Sequence, residues 1–253
     1  MAITGTPTTL FDDVVTITPT GGYSVDGQDG SDTLVLDFSS LSSDIRYFGI
    51  GGGWLRYTDD VRTTVDFLNF ERFDITGGSG DDVLFGGALN DRLVGGAGSD
   101  RIESGLGADS VTGGFGIDRW VVDYTSVAAN IALTLSTSAT AVVAGSGAAI
   151  NGIEAITMIT GGGADVLNTE AYAQNDDVAV WGGNDRVALG RGVDRADGGD
   201  DIDVLEMDWS AITDPMAAIT RIGRVGCWSP DAAGGNQVDY VNFEVFDLNG
   251  GAG

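Results

Sequence analysis

Five consecutive nine-residue units fill Gly77 to Val121: GGSGDDVLF, GGALNDRLV, GGAGSDRIE, SGLGADSVT and GGFGIDRWV. Their aspartates, Asp82, Asp91, Asp100, Asp109 and Asp118, stand nine residues apart. Two positions after each comes an apolar residue: Leu84, Leu93, Ile102, Val111 and Trp120. A chain that keeps so strict a period repeats one local shape, a turn and a short strand, in phase with itself. Glycine permits positive φ in tight turns, and its bare backbone lets carbonyl oxygens converge. The apolar residue marks a strand aimed inward, ~4.8 Å from its equivalent in the next coil. Gly-Asp pairs also make ordinary hairpin turns, but hairpins do not hold a nine-residue period.

A second ladder follows with Asp176, Asp185, Asp194 and Asp203, again nine apart, and partners Val178, Val187, Ala196 and Leu205. Asp165 with Leu167 belongs to it across a two-residue insertion, and many of its glycines are missing. One unit, Gly27 to Leu34, stands alone. These units read as the G-G-x-G-x-D-x-U-x nonapeptide. The chain thereby resembles the RTX family of secreted bacterial proteins, whose repeats form a calcium-binding parallel β-roll. The resemblance implies an all-β fold: a right-handed parallel β-roll or β-solenoid, its nonapeptide arrays interrupted by wider strand-rich coils. No segment shows the apolar period of a long amphipathic helix. The best helical candidate, Pro215 to Arg221, is only about two turns long.

A longer repeat encloses the short one. Asp32, Asp118 and Asp203 begin the related passages DTLVLDFSSL, DRWVVDYTSV and DVLEMDWSAI. Five residues after each comes Asp37, Asp123 or Asp208, then the aromatic Phe38, Tyr124 or Trp209. Each passage closes on an Asn and a Glu: NFERFDITGG, NGIEAITMITGG and NFEVFDLNGG. The chain thus reads as a leader and cap over residues 1–21, then modules 22–112 (first ladder from 77), 113–197 (the degenerate ladder) and 198–253. The final Gly250-Gly251-Ala252-Gly253 matches the start of a further nonapeptide, so the third module is expected to end inside one.

Charge narrows the chemistry. Of 38 acids 32 are Asp, against 12 bases, all Arg, for a formal charge of −26. Like charges oppose compaction, yet 42% of the residues are hydrophobic, too many for simple acidic disorder. Divalent cations are the economical neutralisers. Such an acidic chain is not expected to bind nucleic acid or insert into an anionic membrane. With no His and no Lys, it lacks the Ser-His-Asp and Cys-His nucleophiles, His-ligated zinc, the Schiff base and the P-loop. The single Cys227 rules out an intrachain disulfide. The N-terminus has neither a basic n-region nor an apolar h-region.

The adjacent pairs Asp12-Asp13, Asp59-Asp60, Asp176-Asp177 and Asp200-Asp201 could suggest acid/base work. Neighbours on a strand point to opposite faces, however, so no catalytic residue is expected. Glu71, Glu154 and Glu244 recur once per module and are expected to cap strand edges or pair with Arg.

In the RTX family two nonapeptides make one coil, and an ion sits between turns eighteen residues apart. The resemblance implies that the second and fourth carbonyls and the Asp of one turn face the first, third and fifth positions of the next. Gly78, Gly80 and Asp82 would then meet Gly95, Ala97 and Ser99. Gly96, Gly98 and Asp100 would meet Gly113, Phe115 and Ile117, while Gly87, Leu89 and Asp91 meet Ser104, Leu106 and Ala108. Ala108 and Ile117 stand where the family often has Asn or Asp, and they cannot ligate by side chain. A fourth site would join Trp181, Gly183 and Asp185 to Gly198, Asp200 and Ile202. Three Ca²⁺ sites are thus expected, and at most five.

Three functions suit this reading. The first is a calcium-binding structural protein, exported by a type I system from a Gram-negative bacterium. It would self-associate in calcium at the cell surface as a layer, filament or adhesive stalk. The second is the non-catalytic calcium-binding region of a larger secreted enzyme or toxin. The third is an adhesin-type module that offers its variable strands to a surface glycan. Three modules fill the chain, which favours the first.

Overall fold

The computed structural model describes residues 11–18, 20–51, 53–59, 61–137, 139–210, 217–221, 224–229 and 235–249. The first ten residues, Gly250–Gly253 and the side chain of Cys227 lie outside the described residues. The described secondary structure is all strand, so the fold is an all-β parallel roll. Among the described residues, no helix is long and apolar enough to cross a membrane. Ala217–Arg221, the core of the helical candidate, is a strand that pairs antiparallel with Arg224–Ser229. Two turns of helix nucleate poorly in isolation, and strand pairing supplies the hydrogen bonds instead.

The chain forms two compact units. The first runs to Val121 and takes in Ala148–Ile153. One of its sheets orders Val14–Ile17, Thr33–Asp37, Arg72–Thr76, Arg92–Ala97, Ser110–Phe115 and Ala149–Asn151, all parallel. The second sheet takes the alternate strands: Val83–Gly87 pairs with Arg101–Gly105, which pairs with Arg119–Asp123. Register is the eighteen-residue coil, with Leu84 beside Ile102, Ile102 beside Trp120, and Leu93 beside Val111. These five side chains are at most 1% exposed, one inward residue per nonapeptide. Trp120 donates from Nε1 to Ser104 Oγ at 3.0 Å, which satisfies its one polar atom in the core.

A four-stranded sheet enters this unit between the lone nonapeptide and the first ladder. Gly22–Asp26 pairs parallel with Thr64–Leu68, which continues antiparallel into Trp54–Thr58 and Arg46–Gly51. Its inner aromatics abut the ladder's first strand. Tyr47 stacks on Phe85 at 4.7 Å, and Tyr57 donates its hydroxyl to the Phe85 carbonyl at 2.6 Å. The Phe85 N–H donates back to the same hydroxyl at 2.7 Å. An edge strand has unpaired backbone groups; one buried phenol satisfies two of them here.

In the second unit, Ala132–Thr134, Val166–Asn168, Arg186–Leu189, Val204–Asp208 and Val245–Asn249 form one parallel sheet. Ala155–Ile159, Asp177–Ala179, Val193–Asp197 and Asn236–Val241 form another, extended antiparallel by Arg224–Ser229. Leu167, Val187 and Leu205 are in register and buried.

The aromatic that opens each module passage is a core wedge, since Phe38, Tyr124 and Trp209 are fully buried. The aspartate before it makes an Asx turn. Asp37 accepts the Ser39 N–H at 3.0 Å, Asp123 that of Thr125 at 2.9 Å and Asp208 that of Ser210 at 2.9 Å. Hydrogen bonds from Ser39, Thr125 and Ser210 hold these three carboxyls below the usual aspartate value.

Candidate metal centre

The ladder aspartates divide their two oxygens between two tasks. Oδ1 accepts the backbone N–H of the ladder aspartate one coil earlier. Asp100 takes that of Asp82 at 2.8 Å, Asp118 that of Asp100 at 2.8 Å and Asp109 that of Asp91 at 3.0 Å. In the second unit Asp185, Asp194 and Asp203 do the same for Asp165, Asp176 and Asp185 at 2.7, 2.8 and 2.9 Å. The first ladder starts on other donors: Ile45 N–H to Asp82 and Phe73 N–H to Asp91.

Oδ2 is treated differently. Asp82 and Asp91 receive the Gly78 and Gly87 N–H of their own turns. The Oδ2 atoms of Asp32, Asp100, Asp185 and Asp203 are buried without a hydrogen-bond partner. A desolvated carboxylate oxygen with no donor is costly unless it meets a cation or a proton. Burial accordingly pushes the Asp100 carboxyl up to about 7, against the opposing Asp82 N–H bond. Burial lifts Asp82, Asp91, Asp109 and Asp185 to about 6.

These oxygens face the first glycine of their own turns. A side chain at Gly77 would overlap both Asp82 Oδ2 and the Gly95 carbonyl oxygen. One at Gly86 would stand 2.6 Å from Asp91 Oδ2 and 2.5 Å from the Ser104 carbonyl oxygen. One at Gly95 would overlap Asp100 Oδ2 and lie 2.7 Å from the Gly113 carbonyl oxygen. Each first-position glycine therefore lets a carboxylate oxygen and a carbonyl from the next coil converge on its bare Cα. Second and fourth positions stack closely too, with Gly96 and Gly98 against the carbonyls of Gly78 and Gly80. Gly96 and Gly98 have φ of +118° and +121°, a region few other residues tolerate.

The fifth positions make an outer ladder. Asp81 accepts the Ser99 N–H at 2.7 Å, Asn90 that of Ala108 at 2.9 Å and Asn184 that of Ile202 at 3.1 Å. Ala108 and Ile202 thus contribute backbone, as their side chains require. Phe115 and Ile117 turn their side chains to solvent, and the Phe115 carbonyl accepts the Gly98 N–H at 2.9 Å. The carbonyls of Gly78 and Gly87 accept the Ala97 and Leu106 N–H groups, and each keeps a second lone pair.

The structure therefore brings together Asp82 with Gly95, Asp91 with Ser104, and Asp100 with Gly113. Asp185 differs. Its turn stacks on the next, with the Asp200 N–H on the Trp181 carbonyl and Gly199 against Val180 and Trp181. Its first position, however, is the buried Val180, which carries a side chain where Gly77 and Gly95 have none. Gly198 meanwhile lies against Asn242 and Asp203. The signal that sequence reasoning passed over is this first position: Gly at 27, 77, 86, 95, 113 and 198, but Thr160, Ala171, Val180 and Leu189 in the second ladder.

The donor set is oxygen alone, one carboxylate with several carbonyls, which suits a hard cation such as Ca²⁺. No group of three or more acidic, Cys or His side chains that could hold a metal occurs among the described residues. Asp82, Asp91 and Asp100, with the carbonyls of Gly95, Ser104 and Gly113, are the residues that would hold such ions. A bound cation would supply the positive charge that balances their buried carboxylates. The adjacent acid pairs have structural partners instead. Asp12 accepts the Ser31 N–H, and Asp59 Oδ1 accepts those of Val61, Arg62 and Thr63.

Among known families, the RTX calcium-binding nonapeptide repeat matches residues 74–93 and 85–119, in four copies. No curated protein matches the chain. Among solved structures it is similar to the extracellular lipase LipA from Serratia marcescens, at 14% identity and a TM-score of 0.21. That likeness covers 93% of this chain and 37% of the lipase chain.

Proposed function

We propose, with the RTX calcium-binding repeats of residues 74–119 as premise, that this chain is a secreted, non-catalytic structural protein. It folds on binding calcium and assembles at a bacterial surface. The observation that supports calcium-driven folding is the set of buried, donor-less oxygens of Asp32, Asp100 and Asp203, each beside a carbonyl across a bare glycine. Ion binding to such a set stabilises the folded chain directly.

One feature favours assembly over a solitary module. Val245–Asn249 is the last strand in its sheet's order, and all five of its side chains are exposed, Val245, Phe246 and Leu248 among them. An open apolar edge invites another strand. A second copy docking there head to tail would make a contact that propagates. Export by a type I system, implied by the RTX resemblance, belongs to the same reading.

Circular dichroism during a calcium titration from chelator at neutral pH tests the first claim. β signal should appear over the range of extracellular modules, ~10⁻⁴ to 10⁻³ M. A complete β spectrum in chelator would sink it. Light scattering in the same titration tests assembly; a monomer at saturating calcium would leave calcium binding standing and remove the array.

A further inference from the structure

The lone nonapeptide Gly27 to Asp32 has no second nonapeptide eighteen residues on, and the ladder stops after Asp203. The structure fills both places with the same short segment. Asn69 and Asn242 adopt φ of +56° and +59°, the left-handed conformation that Asn tolerates better than most residues. That turn aims their carbonyl oxygens at Gly27 and Gly198, where a side chain would overlap each. The same absent side chains would stand 2.7 Å from Asp32 Oδ2 and 2.9 Å from Asp203 Oδ2. Gly113 repeats the arrangement, with the Gly152 carbonyl oxygen and Asp118 Oδ2 beside it and Gly152 at φ +58°.

Two residues after the Asn, a glutamate takes over the ladder's hydrogen bond. Glu71 Oε2 accepts the Asp32 N–H at 2.8 Å and Glu244 Oε2 accepts the Asp203 N–H at 2.9 Å. Asp32 and Asp203 are wholly buried, and their Oδ2 atoms have no hydrogen-bond partner. Glu71 and Glu244 close the hydrogen-bond ladder in place of the next coil's aspartate, and each brings a second carboxylate to the turn that holds that bare oxygen. Glu71 and Glu244 add like charge there, and Asp12 and Asp13 add more at the first place. The donors around Gly27 are those around Gly77 and Gly95, a turn aspartate and a carbonyl from the following coil.

We propose that the closing segments Asn69-Phe70-Glu71 and Asn242-Phe243-Glu244 complete two further divalent-cation sites, with Asp32 and Asp203. Their ligands would be Asp Oδ2, the Asn carbonyl and the neighbouring Glu carboxylate, a hard oxygen set of the calcium class. Neither site needs a second nonapeptide. Each site thus pairs two carboxylates, as a ladder turn does with the aspartate of the next coil. This rests on the calcium reading of the ladder and extends it to segments outside the repeat.

Native mass spectrometry of the full chain with calcium alone counts the ions. The test variant is Asp32→Asn with Asp203→Asn, since Asn keeps the Oδ1 acceptor for the Asp13 N–H at 2.7 Å and the Asp185 N–H at 2.9 Å. It should carry two fewer ions than the parent, while Asp91→Asn loses one from the ladder. An unchanged count in the double variant, with the ladder ion lost from Asp91→Asn, overturns these sites and spares the ladder. A parent that carries no calcium overturns both. If the double variant fails to fold, Glu71→Gln with Glu244→Gln decides, because Gln still accepts the Asp N–H. Two binding steps should then weaken by about tenfold, the scale of one lost favourable charge contact, and an unchanged isotherm overturns the proposal.

Discussion

Asp100→Asn should stabilise the chain in chelator and lose that advantage when calcium is added. The substitution keeps the Oδ1 acceptor that holds the Asp82 N–H at 2.8 Å and removes the charge on the unpartnered, buried Oδ2. Burial first, then the charges of Asp118, Asp82 and Asp81, carry this carboxyl from 3.8 up to about 7, against the Asp82 hydrogen bond. At pH 7 that displacement disfavours the metal-free fold by on the order of 4 kcal/mol. Asn introduces an amide that itself needs an acceptor, so the expected net gain in chelator is about 1–3 kcal/mol. With calcium at ten to a hundred times its Kd, the parent gains about 1–3 kcal/mol of binding that the variant forgoes, which offsets the variant's advantage. The folded carboxyl titrates above its unfolded value, so its contribution is fully present below pH 3.8 and is lost as pH rises through about 7. Parent and variant should therefore fold alike near pH 4 in chelator and separate towards neutrality. Circular dichroism as pH rises in chelator, and urea melts with calcium, read both arms. Destabilisation of equal size with and without calcium would show that Asp100 is only a structural acceptor and would refute the reasoning.

Gly95→Ala should destabilise the calcium-loaded chain by several kcal/mol and remove one ion, because its methyl overlaps Asp100 Oδ2 and crowds the Gly113 carbonyl. Gly162→Ala, with nothing within 4 Å, should fall within about 0.5 kcal/mol of the parent; equal urea midpoints for the two would contradict the assignment. Trp120→Ala empties the largest fully buried side chain of the first ladder and should cost about 3–5 kcal/mol in a denaturant melt. Gln28 occupies the second turn position at φ +71°, so Gln28→Gly should raise stability by up to about 1 kcal/mol, while a loss would mean its side chain has work of its own.

The strict nonapeptide by itself determined the repeating half of this protein. When a unit of fixed length recurs, each coil meets its own copy, and contacts fall eighteen residues apart without any choice of partner. That is why Leu84, Ile102 and Trp120 stack in register, and why Asp82, Asp91 and Asp100 could be matched to the turns that face them. The passage aromatics Phe38, Tyr124 and Trp209 were visible as a longer repeat, though their burial was not. Two things were settled only by the tertiary structure. Whether a turn leaves room beside its aspartate depends on the side chain at its first position, and Val180 becomes an obstacle only when its own coil buries it. The partner of Asp32 is Glu71, 39 residues on, beyond an inserted sheet whose length no period dictates. A periodic sequence specifies its neighbours by arithmetic; where the period breaks, the chain's return path chooses them, and that path is set by packing.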